Sequence, residues 1–168
     1  TLARIITGGK KPSRGKLLWS RKLRKSPLGK RVGYLTQNAT DQLLFPTVQE
    51  EIDYGFENFK TGDAEIRREL LISSDVEHLL HRQTSRLSVG QMQRVVIASS
   101  LSPLPALLIL DEPSIGQDWR HIETVMGFLT RFAAEGNAVI IITHDDKIVC
   151  RFAKRIIHLE NGRITADG

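Results

Sequence analysis

The sequence predicts an α/β domain built around a largely parallel β-sheet, and two observations carry this prediction. Leu107–Leu110 is a run of four aliphatic residues, which suits a strand buried on both faces, as in parallel sheets. Helical patterns flank this run and lead into two further short apolar runs, 31–35 and 138–143. Alternating helices and strands are typical of parallel sheets. The 168 residues, 40% of them hydrophobic, are enough for one domain with its own core.

The run at 107–110 ends abruptly in two acidic residues, Asp111 and Glu112, followed by Pro113. Sheets of α/β proteins bind their ligands beyond the carboxyl ends of the strands. Buried carboxylates are costly unless a partner compensates their charge, and a hydrated cation is a suitable partner. This strand end therefore predicts a Mg²⁺–nucleotide site. The alternative is a core strand whose acidic residues cap the next helix.

A second stretch, 88–101, has the pattern of a helix that begins with a capping box. Ser88 is a good N-cap, and Gln91 three residues later can return the hydrogen bond to the Ser88 backbone. Gly90 has no side chain to cover the first turn, so backbone N–H groups at the helix N-terminus face outward. Such a terminus suits phosphate. A capping box alone is common, and its specificity here comes from its position upstream of the acidic strand end.

These motifs, in this order, resemble those of the ATP-binding cassette (ABC) ATPases over nearly the whole chain. The stretch 87–94 (LSVGQMQR) is similar to the family's signature motif, and 106–113 (ALLILDEP) is similar to its Walker B strand. The stretch 114–118 (SIGQD) resembles the D-loop, and 140–145 (IIITHD) resembles the switch-histidine loop. Val89 departs from the pattern, since the family usually has glycine there.

The resemblance implies a role for each motif in an ATP site. Glu112 would be the general base that polarises the attacking water, and Asp111 would hold Mg²⁺ through its hydration shell. His144 would contact the γ-phosphate of ATP and sense it. Gln37, which follows the apolar run 31–35, matches the Q-loop glutamine, whose amide can reach Mg²⁺ or the attacking water.

The family works as head-to-tail dimers, with each ATP between one subunit's phosphate loop and the other's signature motif. Ser88, Gly90 and Gln91 would therefore bind the partner's nucleotide, and Asp118 would cross the dimer interface. Thr1 would directly follow the Mg²⁺-binding hydroxyl of the phosphate loop GxxGxGK[ST] and belong to the nucleotide site. Because that loop is not within the 168 residues, we expect them to show no ATPase activity by themselves.

The fold implied by the resemblance is a sheet of the P-loop NTPase type, incomplete at its N-terminus, with an inserted ABC helical subdomain. Residues 1–168 would be a partial ABC ATPase domain, and the helical subdomain would occupy about 47–101. In transporters this subdomain touches the membrane-embedded partner. The stretch 37–58 (QNATDQLLFPTVQEEIDYGFEN) resembles the energy-coupling factor and cobalt/nickel importer branch in particular.

This branch implies an ATP-hydrolysing subunit of a membrane importer that moves a vitamin or a metal ion. The expected partners are a second ABC ATPase subunit, identical or different, and a transmembrane subunit. The chain would then be peripheral to the cytoplasmic face of the membrane. The alternatives are a soluble ABC ATPase acting on DNA or ribosomes, and a truncated chain without activity of its own. The segment between Gln37 and Ser88 is too short for the long coiled coil of DNA-repair ABC proteins.

The net charge of +5 is unevenly placed, since residues 10–31 carry ten Lys or Arg and no acid. Such a run can bind nucleic acid or anionic lipid headgroups, but a solvated, loop-rich face is its usual explanation. Its only interleaved aromatic is Trp19, and no nucleic-acid partner is expected. Cys150 is the single cysteine, which excludes an internal disulfide.

Local patterns predict the remaining helices. A Thr47–Glu50 capping box starts a helix after Pro46, and two further helices are expected at 63–73 and 74–80, the second with its own box. An amphipathic helix should follow Asp118 and end near Gly136. Its buried face is expected to comprise Ile122, Val125, Met126, Leu129 and Phe132.

Three predictions concern extended structure. Residues 16–19 are expected to form an edge strand, and 138–143 a strand buried on both faces. Asn161-Gly162 predicts a hairpin with a type I′ turn. Four histidines lack any motif context and are assigned no chemistry: His78, His81, His121 and His158.

Overall fold

The structure, a computed structural model, describes all 168 residues. Its centre is a three-stranded parallel sheet with the strand order Val32–Leu35 (β1), Leu107–Asp111 (β2) and Ala138–Ile142 (β3). Leu35 pairs with Leu110, and Asp111 pairs with Ile142, so the three carboxyl ends lie at the same edge of the sheet. The predicted α/β fold with a parallel sheet is confirmed.

Helices account for most of the remaining regular secondary structure. Their bounds are Leu2–Ile6 (α1), Arg21–Arg24 (α2), Leu28–Arg31 (α3), Val48–Phe59 (α4), Ala64–Ser73 (α5), Val89–Leu101 (α6), Trp119–Ala134 (α7) and Asp146–Phe152 (α8). Short 3₁₀ turns occur at Ala39–Gln42, Glu77–Leu79 and Thr84–Arg86. No helix is both long and apolar enough to cross a bilayer.

One hydrophobic core joins the sheet to the helices. It is a cluster of 23 buried residues from β1, β2 and α4 to α8. Leu108 and Leu110 of β2 belong to this cluster, whereas Ile109 packs on the other face with Ala3 of α1 and Val32 of β1. The prediction that 107–110 is buried on both faces is confirmed. The secondary structure of residues 47–101 consists of helices and 3₁₀ turns joined by short loops, and their buried apolar residues belong to this same core.

The helix starts predicted at Thr47, Ser88 and Asp118 are confirmed. Thr47 with Glu50 and Ser88 with Gln91 both form complete capping boxes, at the N-termini of α4 and α6. Asp118 caps α7, whose five predicted core residues are all buried. Each of these starts depends on residues within one turn of one another, so the local sequence is sufficient to specify it.

The prediction of an edge strand at 16–19 is wrong. These residues belong to no strand, and Leu18 is 83% exposed. An isolated extended segment gains no stability, because the backbone hydrogen bonds of a strand come from a neighbouring strand. The surrounding basic segment 10–31 is mostly exposed, as expected of a solvated face.

The helix predicted at 74–80 is also wrong. Ser74 is the C-cap of α5, and Asp75 adopts left-handed backbone with φ 50. The N–H of Asp75 donates to the Ile72 carbonyl and the N–H of Val76 to the Leu71 carbonyl, which is the Schellman arrangement that ends a helix. Only the 3₁₀ turn Glu77–Leu79 follows.

The strand at 138–143 forms as β3, but it is not buried on both faces as predicted. Ile140 and Ile142 are 38% and 39% exposed. β3 pairs on one side only, with β2, and is the last strand of the sheet. An apolar run predicts a strand but not its neighbours, and burial of both faces depends on those neighbours.

The predicted hairpin at Asn161-Gly162 is confirmed. It joins Ile157–Glu160 (β4) to Arg163–Asp167 (β5), which pair with each other and not with the central sheet. Asn161 and Gly162 have φ 48 and 76, as a type I′ turn requires. All residues of both strands are exposed.

Gly55 offers a test of this packing. An added Cβ at Gly55 of α4 would collide with the buried Ser102 side chain and lie 3.0 Å from Pro103 Cδ. We expect Gly55→Ala to lower the free energy of unfolding by about 1–3 kcal/mol, because overpacking outweighs the gain in helix propensity. Gly127 of α7 has nothing within 4 Å of such a Cβ, so Gly127→Ala should instead stabilise the fold by about 0.5–1 kcal/mol. Chemical denaturation of both variants measures the difference, and equal effects would contradict the packing described.

Candidate functional site

Two carboxylates stand at the carboxyl end of β2. Asp111 is the last residue of the strand, and Glu112 follows it with left-handed backbone at φ 54. This conformation is uncommon for a residue other than glycine and occurs preferentially at functional sites. The N–H of Glu112 donates to the Ile142 carbonyl of the neighbouring strand at 2.8 Å, which holds the turn in place.

Glu112 is paired with His144 across the strand ends. Glu112 Oε1 lies 2.9 Å from His144 Nδ1, and Thr143 Oγ1 donates to Glu112 Oε2 at 3.4 Å. The Glu112 side chain is only 14% exposed, whereas that of His144 is 85% exposed. Because Nδ1 faces Glu112, Nε2 of His144 is left for a ligand. The hydrogen bond to Glu112 and then its charge raise the pKa of His144.

Asp111 has one contact from β1. The Tyr34 hydroxyl donates to Asp111 Oδ2 at 3.4 Å. Burial, followed by the charge of Asp111, raises the pKa of Tyr34. Gln37 lies two residues beyond the end of β1 and is exposed, at the same edge of the sheet as Asp111. Sequence reasoning missed Tyr34, because no local pattern shows that β1 pairs with β2.

The N-terminus of α6 forms a second group of predicted site residues. Ser88 Oγ accepts from the Gln91 N–H, and Gln91 Oε1 accepts from the Ser88 N–H at 3.0 Å. The N–H groups of Val89 and Gly90 make no hydrogen bond to the backbone, so they are available to an anion. Val89 itself is 61% exposed.

The D-loop packs directly on this helix N-terminus. Gln117 Nε2 donates to the Gly90 carbonyl at 2.7 Å, and Arg94 Nη1 donates to Gln117 Oε1 at 3.4 Å. A Cβ on Gly90 would lie 2.5 Å from the Gly116 carbonyl oxygen, so this backbone approach requires glycine. The absence of a side chain at Gly90 therefore allows the D-loop contact and also leaves the first turn of α6 uncovered.

Gln93 connects α6 to the carboxylates, and sequence reasoning missed it. It is 3% exposed, and its Nε2 donates to the Glu112 carbonyl at 3.1 Å. Its Oε1 is buried without a hydrogen-bond partner. The sequence carried one signal for Gln93, namely a polar residue on a helix face that is otherwise apolar. A buried amide needs hydrogen-bond partners, so such a residue is expected to hold a neighbouring segment.

The structure thus divides the predicted site residues into two groups. Asp111, Glu112 and His144 meet at the sheet edge, with Gln37 nearby. Ser88, Gly90, Gln91 and Asp118 lie around the D-loop and the start of α6. Thr1 is the exposed N-cap residue of α1, and its side chain makes no capping hydrogen bond. The roles of these residues toward ATP stay predictions.

The donor set fits a Mg²⁺ ion that arrives with a nucleotide. No three or more His, Cys, Asp or Glu residues converge as they would in a dedicated metal cage. Mg²⁺ keeps several waters and is usually bound by one or two carboxylates together with substrate phosphates. Asp111 at the end of β2, with Gln37 at the same edge, matches that requirement.

Comparison with known proteins identifies the family. The sequence model of the ABC transporter family matches residues 1–115. The chain belongs to the ABC transporter ATP-binding family. The cobalt import ATP-binding protein CbiO of Rhodobacter capsulatus is 35% identical to this ABC chain over 142 residues, which is 83% of this chain and 51% of that protein. A Methanosarcina mazei relative is 34% identical over 175 residues, or 100% of this chain and 30% of the relative. The chain therefore spans only part of the curated relatives that it matches.

Solved ABC structures share the fold. CbiO1 from Clostridium perfringens, part of the CbiONQ transporter complex, has a TM-score of 0.77 and 33% identity, over 99% of this chain and 70% of that one. A dimeric ATP-binding cassette in a post-hydrolysis state, with ADP and phosphate bound, has a TM-score of 0.78 and 28% identity, over 99% and 78%. The predicted family resemblance is thereby confirmed.

The pairing of His144 with Glu112 predicts a pH dependence. Because the folded state raises the pKa of His144, the pairing contributes fully to stability below the pKa of a free histidine, about 6.5, and is lost as the pH rises through the raised value. NMR titration should therefore give a His144 midpoint above about 6.5, and Glu112→Gln should lower it toward that value. Glu135→Gln, at the exposed end of α7, should leave the titration unchanged. The same His144 midpoint in parent and Glu112→Gln would exclude the pairing.

Proposed function

We propose that this chain is part of the ATP-hydrolysing subunit of an ABC membrane importer whose transported substrate is a vitamin or a metal ion. The observation that carries the proposal is the Glu112–His144 contact beside Asp111 at the sheet edge. Phosphoryl transfer to water needs a positioned base and neutralised phosphate charge, and these groups can supply both. The similarity to a cobalt import ATP-binding protein supports the transport role.

In the proposed reaction the oxygen of a water molecule attacks the γ-phosphorus of ATP. Glu112 accepts a proton from that water, the bond from the γ-phosphorus to the bridging oxygen breaks, and ADP and phosphate leave. His144 fixes Glu112 through Nδ1 and contacts the γ-phosphate through Nε2. Asp111 and Gln37 would hold Mg²⁺, which when bound neutralises charge on the β- and γ-phosphates.

The second group of residues serves the nucleotide of a partner ATPase subunit. The free N–H groups at the start of α6, with Ser88, Gly90 and Gln91, bind its γ-phosphate, and Asp118 crosses the interface. The nucleotide held by this subunit lies near Thr1, at the start of α1. A dimeric ABC structure at 28% identity supports this arrangement, and the partner is either a second copy or a different ATPase.

Residues 47–101 act as the helical subdomain that receives the membrane subunit, which places the chain at the cytoplasmic face of the membrane. A groove of about 580 Å³ runs along α4. Phe45 and Tyr54 line it with ring centroids 4.9 Å apart, and Tyr54 is 50% exposed. Glu50, Asp53 and Glu57 line it, and because Asp53 is paired with Arg67, the acidic charge of the groove comes from Glu50 and Glu57. This chemistry fits an amphipathic helical segment with basic residues.

The alternative of a DNA- or ribosome-directed ABC ATPase has one observation in its favour, the exposed basic segment 10–31. The structure offers no coiled coil for such a role, since α4 and α5 have 12 and 10 residues. An exposed basic face without stacked aromatics is also ordinary for a solvated surface. The transport proposal therefore has the stronger support.

The role of Glu112 is tested by Glu112→Gln in the full-length protein with its partner subunits. Turnover should fall by about 10²–10⁴-fold, because the amide cannot accept the proton from water. ATP binding should be kept, since the shape of the side chain is unchanged. Steady-state ATPase and nucleotide-binding assays measure both quantities, with Glu135→Gln as the matched surface control. Turnover within a few-fold of the parent would remove Glu112 from this role.

The docking groove is tested by Tyr54→Ala. If Tyr54 anchors the membrane subunit, its removal should weaken the affinity of the two subunits by about 2 kcal/mol, as expected for an aromatic residue central to an interface. Leu159→Ala is the control, because Leu159 is also an exposed apolar residue, at 55%, but lies on the β4–β5 hairpin. The affinity between this subunit and the membrane subunit is measured in detergent for both variants. Equal affinities would place the interface elsewhere.

A further inference from the structure

A network of charged side chains joins the D-loop to the end of α5, away from Glu112 and His144. Its centre is His121, in the first turn of α7. His121 Nδ1 lies 2.7 Å from Asp118 Oδ2, and His121 Nε2 lies 2.9 Å from Asp75 Oδ2. One imidazole therefore bridges two carboxylates from separate parts of the chain.

His121 has a carboxylate at each of its two ring nitrogens. A carboxylate accepts hydrogen bonds, and a ring N–H is the group that donates to it. The backbone N–H and then the ring of His121 also hold the pKa of Asp118 below its usual range. Such charge-assisted bonds are stronger than neutral ones.

Asp75 occupies a backbone position that favours glycine. It is the left-handed residue of the Schellman motif at the end of α5, with φ 50. A residue other than glycine is strained there, although aspartate tolerates the conformation better than most. The carboxylate at this position makes a contact with His121 that glycine could not make.

Two further basic groups face Asp75. Arg94 Nη2 of α6 lies 3.7 Å from Asp75 Oδ2, and His78 Nδ1 lies 3.6 Å from Asp75 Oδ1. Arg94 also donates to Gln117 of the D-loop. The end of α5 is thus connected to the D-loop twice, once through His121 and once through Arg94.

We propose that His121 is a positioning residue whose bridge to Asp75 holds Asp118 of the D-loop in register with the end of α5. The inference rests on the proposed function, in which Asp118 lies at the dimer interface and residues 47–101 receive the membrane subunit. Because α5 belongs to that region, a shift of the region moves Asp75, and the bridge transmits the shift to Asp118. The membrane subunit and the composite ATP site are linked in this way.

Asp75→Gly is the first test, in the full-length protein assembled with its partner subunits. This variant deletes the bridge and relieves the backbone strain, so its thermal stability should equal or exceed that of the parent. Its kcat for ATP should fall about tenfold, within the range usual for coupling between sites, with KM unchanged. The imidazole of His121, followed by NMR, should change its chemical shifts in Asp75→Gly, because one of its two carboxylate contacts is lost.

Replacement of His121 gives the complementary test. His121→Ala should reproduce the fall in kcat, and the double variant with Asp75→Gly should be no worse than either single one, because both remove the same contact. His121→Arg, whose guanidinium has several N–H donors for the two carboxylates, should recover part of the activity. His158→Ala, on the exposed strand β4, is the matched control and should have parental kcat.

Parental kcat in Asp75→Gly and His121→Ala would overturn the proposal. A marked loss of folded Asp75→Gly protein would also overturn it, since the network would then serve stability. Failure of the proposed function looks different, because the parent assembly itself would then hydrolyse no ATP.

Discussion

Parallel pairing between β2 and β3 is the constraint on which the site depends. Asp111 is opposite Ile142, so the residues that follow the two strands leave the sheet side by side. The N–H of Glu112 continues the pairing by one bond to Ile142, and its left-handed backbone then turns the chain away from the sheet. The Glu112–His144 contact is therefore a consequence of strand register. A slip of one residue would send each side chain to the opposite face and separate the pair.

A second constraint is the close approach of two backbones. Gly90 lies against the Gly116 carbonyl, and Gln117 closes the contact with a hydrogen bond to the Gly90 carbonyl. The signature helix and the D-loop consequently behave as one packed unit within the subunit. Gln93 ties the same helix to the Glu112 carbonyl. A ligand at the start of α6 is thus connected by short, direct contacts to the residue proposed as the general base.

The motifs shared with the ABC family account for the residues proposed to touch the nucleotide, but not for the way this chain connects them. Asp75 and His121 lie outside the four motif stretches, and the interaction between them depends on a strained aspartate at a helix end. The groove beside α4 and the D-loop are on different parts of the molecule. The contact of Asp75, just after α5, with His121 of α7 is a physical link between the regions to which those two surfaces belong.

Several features were determined by the sequence alone, because they depend on neighbours along the chain. The capping boxes at Thr47 and Ser88, the buried strand ending in Asp111 and the Asn161-Gly162 turn all use residues within a few positions of one another. The acidic strand end and the motif order are the basis of the predicted site residues, whose roles stay predictions. Tertiary structure alone decided that residues 16–19 form no strand and that one face of β3 is half exposed. It also brought Asp75 to His121, which has no motif context and lies 46 residues away in the chain. Burial, strand pairing and such bridges depend on residues that are distant in the chain, and no local pattern specifies which of them will meet.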